Sequence, residues 1–163
     1  MTQEIIKEDT EIGSYGKIFL TVQNLDGTIA KTVVKNKVLL SGRNALARTL
    51  ANDYTGPFQF YVARVLFGNS GTLGGSPRLV DDNRTGLFGP TTLTKPVIAS
   101  IDDDFPQQVT FTTTVTFSEL VGDTINEMAL ELANGDLFSM ATFGDTSKTS
   151  SMQLVYNWKL TWV

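Results

Sequence analysis

The clearest pattern in the chain is the alternation near its end. From Met152 to Trp162 the residues Met152, Leu154, Tyr156, Trp158, Leu160 and Trp162 take every second place, with Gln153, Val155, Asn157, Lys159 and Thr161 between them. Side chains of a strand point alternately to its two faces. The run therefore predicts a strand with one buried, aromatic-rich face and one face turned to water or a thin second layer. The same period recurs at residues 109–117, where Val109, Phe111, Thr113, Val115 and Phe117 back onto a face of four threonines. Such β-branched polar side chains suit an exposed sheet surface. Residues 17–25 carry Ile18, Leu20 and Val22 on one face. Asp26-Gly27 then signals a turn, and residues 28–40 return as the second strand of a hairpin. Residues 58–67 are apolar on both faces apart from Gln59 and Arg64, as expected of a strand covered on two sides. Residues 91–101 are strand-like but broken by Pro96, and residues 102–106 read as a turn.

One segment has helical character. Residues 41–52 place Leu46, Ala47 and Leu50 on a narrow stripe, with Ser41 as the expected N-cap and Arg43 and Arg48 on the solvated side. Between the strands, residues 68–90 hold six glycines and form a long loop, a length that usually marks function or mobility. A last hairpin turns at Asn134-Gly135. A three-residue loop with Gly135 in the left-handed region sets Leu130 against Phe138 and Met128 against Met140. A two-residue turn sets Glu131 against Phe138 and Ala129 against Met140. The first register puts apolar beside apolar on one face and is the one expected. The pattern as a whole predicts a mainly β chain: an antiparallel β-sandwich of about seven or eight strands with one short α-helix. Residues 1–16 are expected to form an N-terminal arm or short edge strand. Residues 17–163 are expected to form a single domain.

Composition narrows the chemistry. The 163 residues contain no cysteine and no histidine and carry a formal charge of −4. Disulfides, thiolate or imidazole zinc sites and Cys- or His-based nucleophilic catalysis are thereby removed. Without a Lys/Arg cluster, phosphate-driven nucleic-acid binding is disfavoured. The acidic start, with Glu4, Glu8 and Asp9, does not resemble a signal peptide, and no apolar run approaches membrane-spanning length. Synthesis in the cytoplasm as a soluble protein is expected. Residues 68–75 invite a phosphate-loop reading but lack the Gly-Lys-Ser/Thr ending and a following helix. Asp81-Asp82 and residues 102–104 could offer oxygens to a hard cation, though acid runs in turns are usually solvated. Glu127 and Glu131 share a strand face at a spacing too wide for a shared proton. No catalytic residue, metal site or cofactor is expected.

Three short motifs carry a resemblance. Residues 38–48, Val-Leu-Leu-Ser-Gly-Arg-Asn-Ala-Leu-Ala-Arg, resemble the strand-then-helix opening of small tailed-bacteriophage virion proteins. Residues 65–72 are similar to their apolar strand running into a Gly/Thr-rich loop. Residues 125–130, residues 134–139 and Lys148 resemble their ending of a glutamate, an aliphatic hairpin and a lysine loop. Similar elements occur in the N-terminal domain of tail-collar fibre proteins and in stand-alone phage structural proteins. This chain departs from the collar domain in its hairpin before the helix and in the lack of a fibre shaft after it. The resemblance implies a non-enzymatic virion structural protein, made in the host cytoplasm. It would most simply be a capsid decoration (cement) protein that binds the major capsid protein and copies of itself, plausibly as a trimer, with no nucleic acid or membrane partner. A tail, baseplate or collar-fibre component is the alternative. A carbohydrate- or cell-surface-binding β-sandwich is the alternative of another class. The contacts expected between subunits are Ile5, Ile6, Ile12 and Tyr15 of the arm, and Arg78 and Arg84 of the Gly-rich loop.

Overall fold

The alternating run at residues 152–162 lies inside a large sheet. The computed structural model describes residues 14–53 and 59–162. In chain order the strands are β1 (Ser14–Asn24) and β2 (Ile29–Val38), followed by the helix α1 (Leu40–Leu50). Then come β3 (Val62–Gly68), β4 (Thr72–Leu73), β5 (Ser76–Pro77), β6 (Leu93–Pro96) and β7 (Ile98–Asp102). The last four are β8 (Phe105–Val115), β9 (Thr124–Leu132), β10 (Leu137–Ser147) and β11 (Met152–Trp162). Nine strands make one antiparallel sheet in the order β6-β3-β9-β10-β2-β1-β11-β8-β7, and β4 and β5 form a separate ribbon.

The sheet has two halves. Five strands, β2, β1, β11, β8 and β7, pair over long registers, as do β6, β3, β9 and β10. The halves join where Val38 and Lys37 of β2 meet Ser139 and Met140 of β10. At the far side the Thr113 hydroxyl of β8 donates to the Pro96 carbonyl of β6 at 3.3 Å, so the sheet is nearly closed into a barrel. Nine strands in one sheet thus stand where seven or eight in a sandwich were expected. The two edge strands, β6 and β7, are separated in sequence by Val97 alone. This is the break expected at Pro96, and it sends consecutive strands to opposite ends of the strand order.

The core lies between the halves. Ile18 faces Trp158, which faces Phe111; one row on, Leu20 faces Tyr156 and Tyr156 faces Thr113. Phe67 of β3 meets Tyr156 across the core, ring centres 5.2 Å apart. Burying each such side chain contributes about 1.5–3 kcal/mol, and this layer is what gives the alternation of β11 its force. The threonine face of β8 is only half-buried, because neighbouring strands flank it.

Three local expectations are corrected. The helix N-cap is Leu39, two residues before the expected Ser41, and it has no side-chain cap; the Ser41 hydroxyl donates instead to the Leu137 carbonyl. Its buried face holds Gly42 and Ala45 with Leu46 half-buried, while Ala47 and Leu50 are exposed. The reason is close approach: a Cβ at position 42 would overlap the Phe138 carbonyl oxygen, so the helix lies with its backbone against β10. In the last hairpin Gly135 is left-handed, at φ 94°, and Leu137 pairs with Glu131, as the three-residue loop requires. A bulge between Leu137 and Ser139 then shifts the ladder, so that Met140 faces Ala129 and Ala141 faces Met128. Apolar pairing on one face could not select the register, because both faces of β9 and β10 are buried here.

Ile5, Ile6 and Ile12 lie outside the described residues, as does Phe58. Tyr15 belongs to β1, its backbone opposite Thr161.

Candidate functional site

The face of β9 turned away from the core is covered by the Gly-rich loop. Val80, Leu87 and Phe88 of that loop pack on a small apolar cluster of Leu39, Ala129, Leu137 and Met140, with Leu66 of β3 beside them. In β3 itself Val65 and Phe67 are buried on the core side, but Arg64 and Leu66 on the other face are only half-buried, so the strand expected to be covered on two sides is fully covered on one. The loop is tied down from below by two adjacent side chains of β9.

Glu127 is fully buried. Its Oε1 accepts the backbone N–H groups of Ser70 at 3.1 Å and Gly89 at 3.2 Å, and its Oε2 accepts that of Phe88 at 2.7 Å. Asn126 is buried beside it. Its Oδ1 accepts the Gly71 N–H at 2.7 Å, and its Nδ2 is within donor distance of the Asn69 carbonyl, the Thr72 hydroxyl and Asp145. A Cβ at position 71 would overlap the Asn126 carbonyl, so this approach requires glycine. Two side chains thus fix both ends of the loop, residues 69–72 and 88–89. Hydrogen bonds to a charged acceptor are the stronger kind, and a buried carboxylate without them would be costly.

The loop is braced from outside by the two arginines expected at subunit contacts. Arg84 stacks on the Phe88 ring with its guanidinium carbon 3.7 Å from the centroid, and Arg78 reaches the same ring at 4.4 Å. Arg84 also donates to the Gly86 and Leu87 carbonyls at 3.0 and 2.8 Å. The structure therefore brings Arg78 and Arg84 together, half-buried and engaged within their own molecule. Leu73 and Leu79, by contrast, stand 71% and 95% exposed on the same loop.

The glutamate and lysine of the sequence resemblance do separate work. Lys148 is buried, donating from Nζ to the Thr149 carbonyl at 2.8 Å and the Phe117 carbonyl at 3.2 Å. Its backbone bonds to Asp123 and Gly122 hold the turn in which Leu120 takes φ 51°. Burial lowers the Lys148 ammonium below the ordinary lysine range, against a smaller opposing pull from Glu119. Burial of Glu119 works against its own charge, but bonds from Lys95 and Thr116 outweigh it and hold that carboxyl below its ordinary range.

The acid clusters are used locally. Asp82 pairs with Lys37 and Arg43, whose hydrogen bonds hold its carboxyl low, and Asp102 accepts the Asp104 N–H. Among the described residues, no group of three or more His, Cys, Asp or Glu gathers as a metal site, and no helix is long and apolar enough to cross a membrane. Sequence reasoning missed Asn126 and Glu127 as the anchor of the loop. The available signal was an adjacent polar pair, Asn126-Glu127, within a mostly apolar strand, in a chain whose longest loop is rich in glycine. No protein family, no curated protein and no solved structure matches the chain.

Proposed function

We propose that the chain is a non-enzymatic structural protein of a tailed-phage virion, acting as a decoration or cement protein on the head shell. The observation that carries this reading is the stapled loop. The polar groups buried in β9 serve to hold residues 69–89 rigid while Leu73 and Leu79 project into solvent. A rigid apolar projection suits adhesion, because little ordering entropy remains to be lost on contact. The resemblance of residues 38–48, 65–72, 125–130 and 134–139 and of Lys148 to small virion proteins supports the same reading. The expected partners are the major capsid protein and copies of this chain.

The test is binding to undecorated shells. Leu79→Asp is expected to weaken binding at least tenfold, with an unchanged circular dichroism spectrum; unaltered binding would remove the loop from the contact. Deleting residues 1–12 measures the share of the arm. Micrographs of labelled virions separate head from tail: label confined to one vertex or the tail would replace decoration with a tail or collar role. A sugar-binding module draws support from exposed Phe105 beside the acids at residues 102–104. A glycan array without hits would count against it.

A further inference from the structure

The loop held by Asn126 and Glu127 carries two positive charges that no acid of the described structure neutralises. Arg78 and Arg84 converge on the Phe88 ring, their guanidinium carbons 4.4 and 3.7 Å from its centre. None of the ion pairs among the described residues involves either arginine. The acids of the same loop are engaged elsewhere. Asp82 pairs with Lys37 and Arg43, and Asp81 accepts the Asn83 N–H. Both arginines are half-buried, so water screens them less than it would on an open surface. Their shared ring keeps the two guanidinium carbons no more than about 8 Å apart, close enough for the like charges to repel.

Their donors are only partly used. Arg84 gives Nε to the Gly86 carbonyl and Nη2 to the Leu87 carbonyl, and Arg78 gives Nη1 to the Ser70 carbonyl at 3.4 Å. Nη1 of Arg84 and Nε and Nη2 of Arg78 have no hydrogen-bond partner among the described residues. A carbonyl dipole or a ring face holds a guanidinium in place but does not cancel its charge. The result is two fixed cationic forks on an anchored loop, and a planar fork matches a carboxylate through paired N–H bonds. Leu79, next to Arg78 in the chain, is almost wholly exposed. With a formal charge of −4, the chain as a whole repels a polyphosphate, so carboxylates on a protein surface fit better than a nucleic acid. We propose that Arg78 and Arg84 seat carboxylate side chains of the protein to which the loop binds, with Leu79 as the apolar contact. The identity of that partner rests on the shell reading; its chemistry is a short acidic segment containing an aliphatic residue.

The probe is the blocked peptide acetyl-Glu-Leu-Glu-Leu-amide, with the same peptide carrying glutamine for glutamate as control. On titration into the isotope-labelled protein, the Nε–H signals of Arg78 and Arg84 and the ring signals of Phe88 are expected to shift and saturate. Those of Arg43 and Arg48 should stay, and the glutamine peptide should move none of them. Replacing both residues, Arg78→Lys with Arg84→Lys, keeps the charges but removes the forks. It is expected to weaken the peptide at least tenfold at the Phe88 ring, with hydrogen exchange at Ser70 and Gly89 unchanged. No shift in the parent, an equal shift at every arginine, or an equal response to the glutamine peptide would overturn the proposal. Tighter binding of inorganic phosphate or of a single-stranded oligonucleotide would also overturn it, by assigning the seat to a phosphate ligand. The titration of the parent decides the matter even if the double variant loosens the loop. On undecorated shells, converting exposed carboxylates to amides with a carbodiimide should cost the parent at least tenfold in binding. Peptide binding without shell binding would remove the shell reading and keep the seat. Shell binding that survives amidation, without peptide binding, would remove the seat and keep the shell reading.

Discussion

Glu127 shows how much a single side chain can be asked to hold. It takes three backbone N–H groups from two stretches of loop that are far apart in sequence. Glu127→Gln keeps the shape but loses the charge and turns a donor towards amide donors. A loss of about 2–3 kcal/mol in urea denaturation is expected, with faster hydrogen exchange at Ser70, Phe88 and Gly89. Tyr156 is the converse case. Its hydroxyl lies in the core without a hydrogen-bond partner among the described residues, and burial pushes its ionisation above the ordinary tyrosine range. Tyr156→Phe should therefore be neutral or stabilising by about 1 kcal/mol. The sign with pH follows from the raised value. The unfolded tyrosine gives up its proton from about pH 10 while the folded one keeps it, so stability falls as pH rises above that point. The variant should lack this alkaline loss, as read from melting temperature against pH. Glu119 acts at the other end of the scale. Its lowered carboxyl contributes stability that is present above about pH 4.5 and lost as pH falls through the folded value. Glu119→Gln should flatten the acid limb of the same curve.

Among the elements, what could be read from the sequence depended on how many faces were buried. β11 and β8 each bury one face, so their period-two pattern marked both strands, and the first hairpin and its Asp26-Gly27 turn were equally clear. β9 and β10 are buried on both sides, and there alternation carries no register information; the bulge at Phe138 had to come from packing. The helix misled for a related reason. Leu50 looked like a core position, but the contact is made by backbone at Gly42, which leaves no apolar signature. Gly42→Ala tests this. Helix propensity alone predicts a gain of about 1 kcal/mol. Overlap with the Phe138 carbonyl predicts a net loss of about 1–3 kcal/mol, measurable as a lowered urea midpoint. The candidate site was half legible for the same reason. The glycine-rich loop was visible as composition, but its anchors belong to a strand some forty to sixty residues away, and only the fold brings them beneath it.

For the molecule as a whole, the two halves share a core but only a short backbone junction between β2 and β10. Both tryptophans sit in β11, in the half that lacks the Glu127 staple. If the core makes the halves one cooperative unit, Glu127→Gln should shift the tryptophan-fluorescence midpoint and the far-UV midpoint together. Two separate transitions would instead mean that the halves unfold independently. The placement of β6 and β7 has a further consequence for association. An open sheet can polymerise by offering one edge to the opposite edge of the next copy. Here the two edges are consecutive in the chain, joined through Val97, and the sheet curls until they lie near one another. A neighbour approaching either edge meets the other at the same corner. The sheet's seam is thus laced by its own backbone, which disfavours endless strand-by-strand growth and leaves assembly to faces and loops.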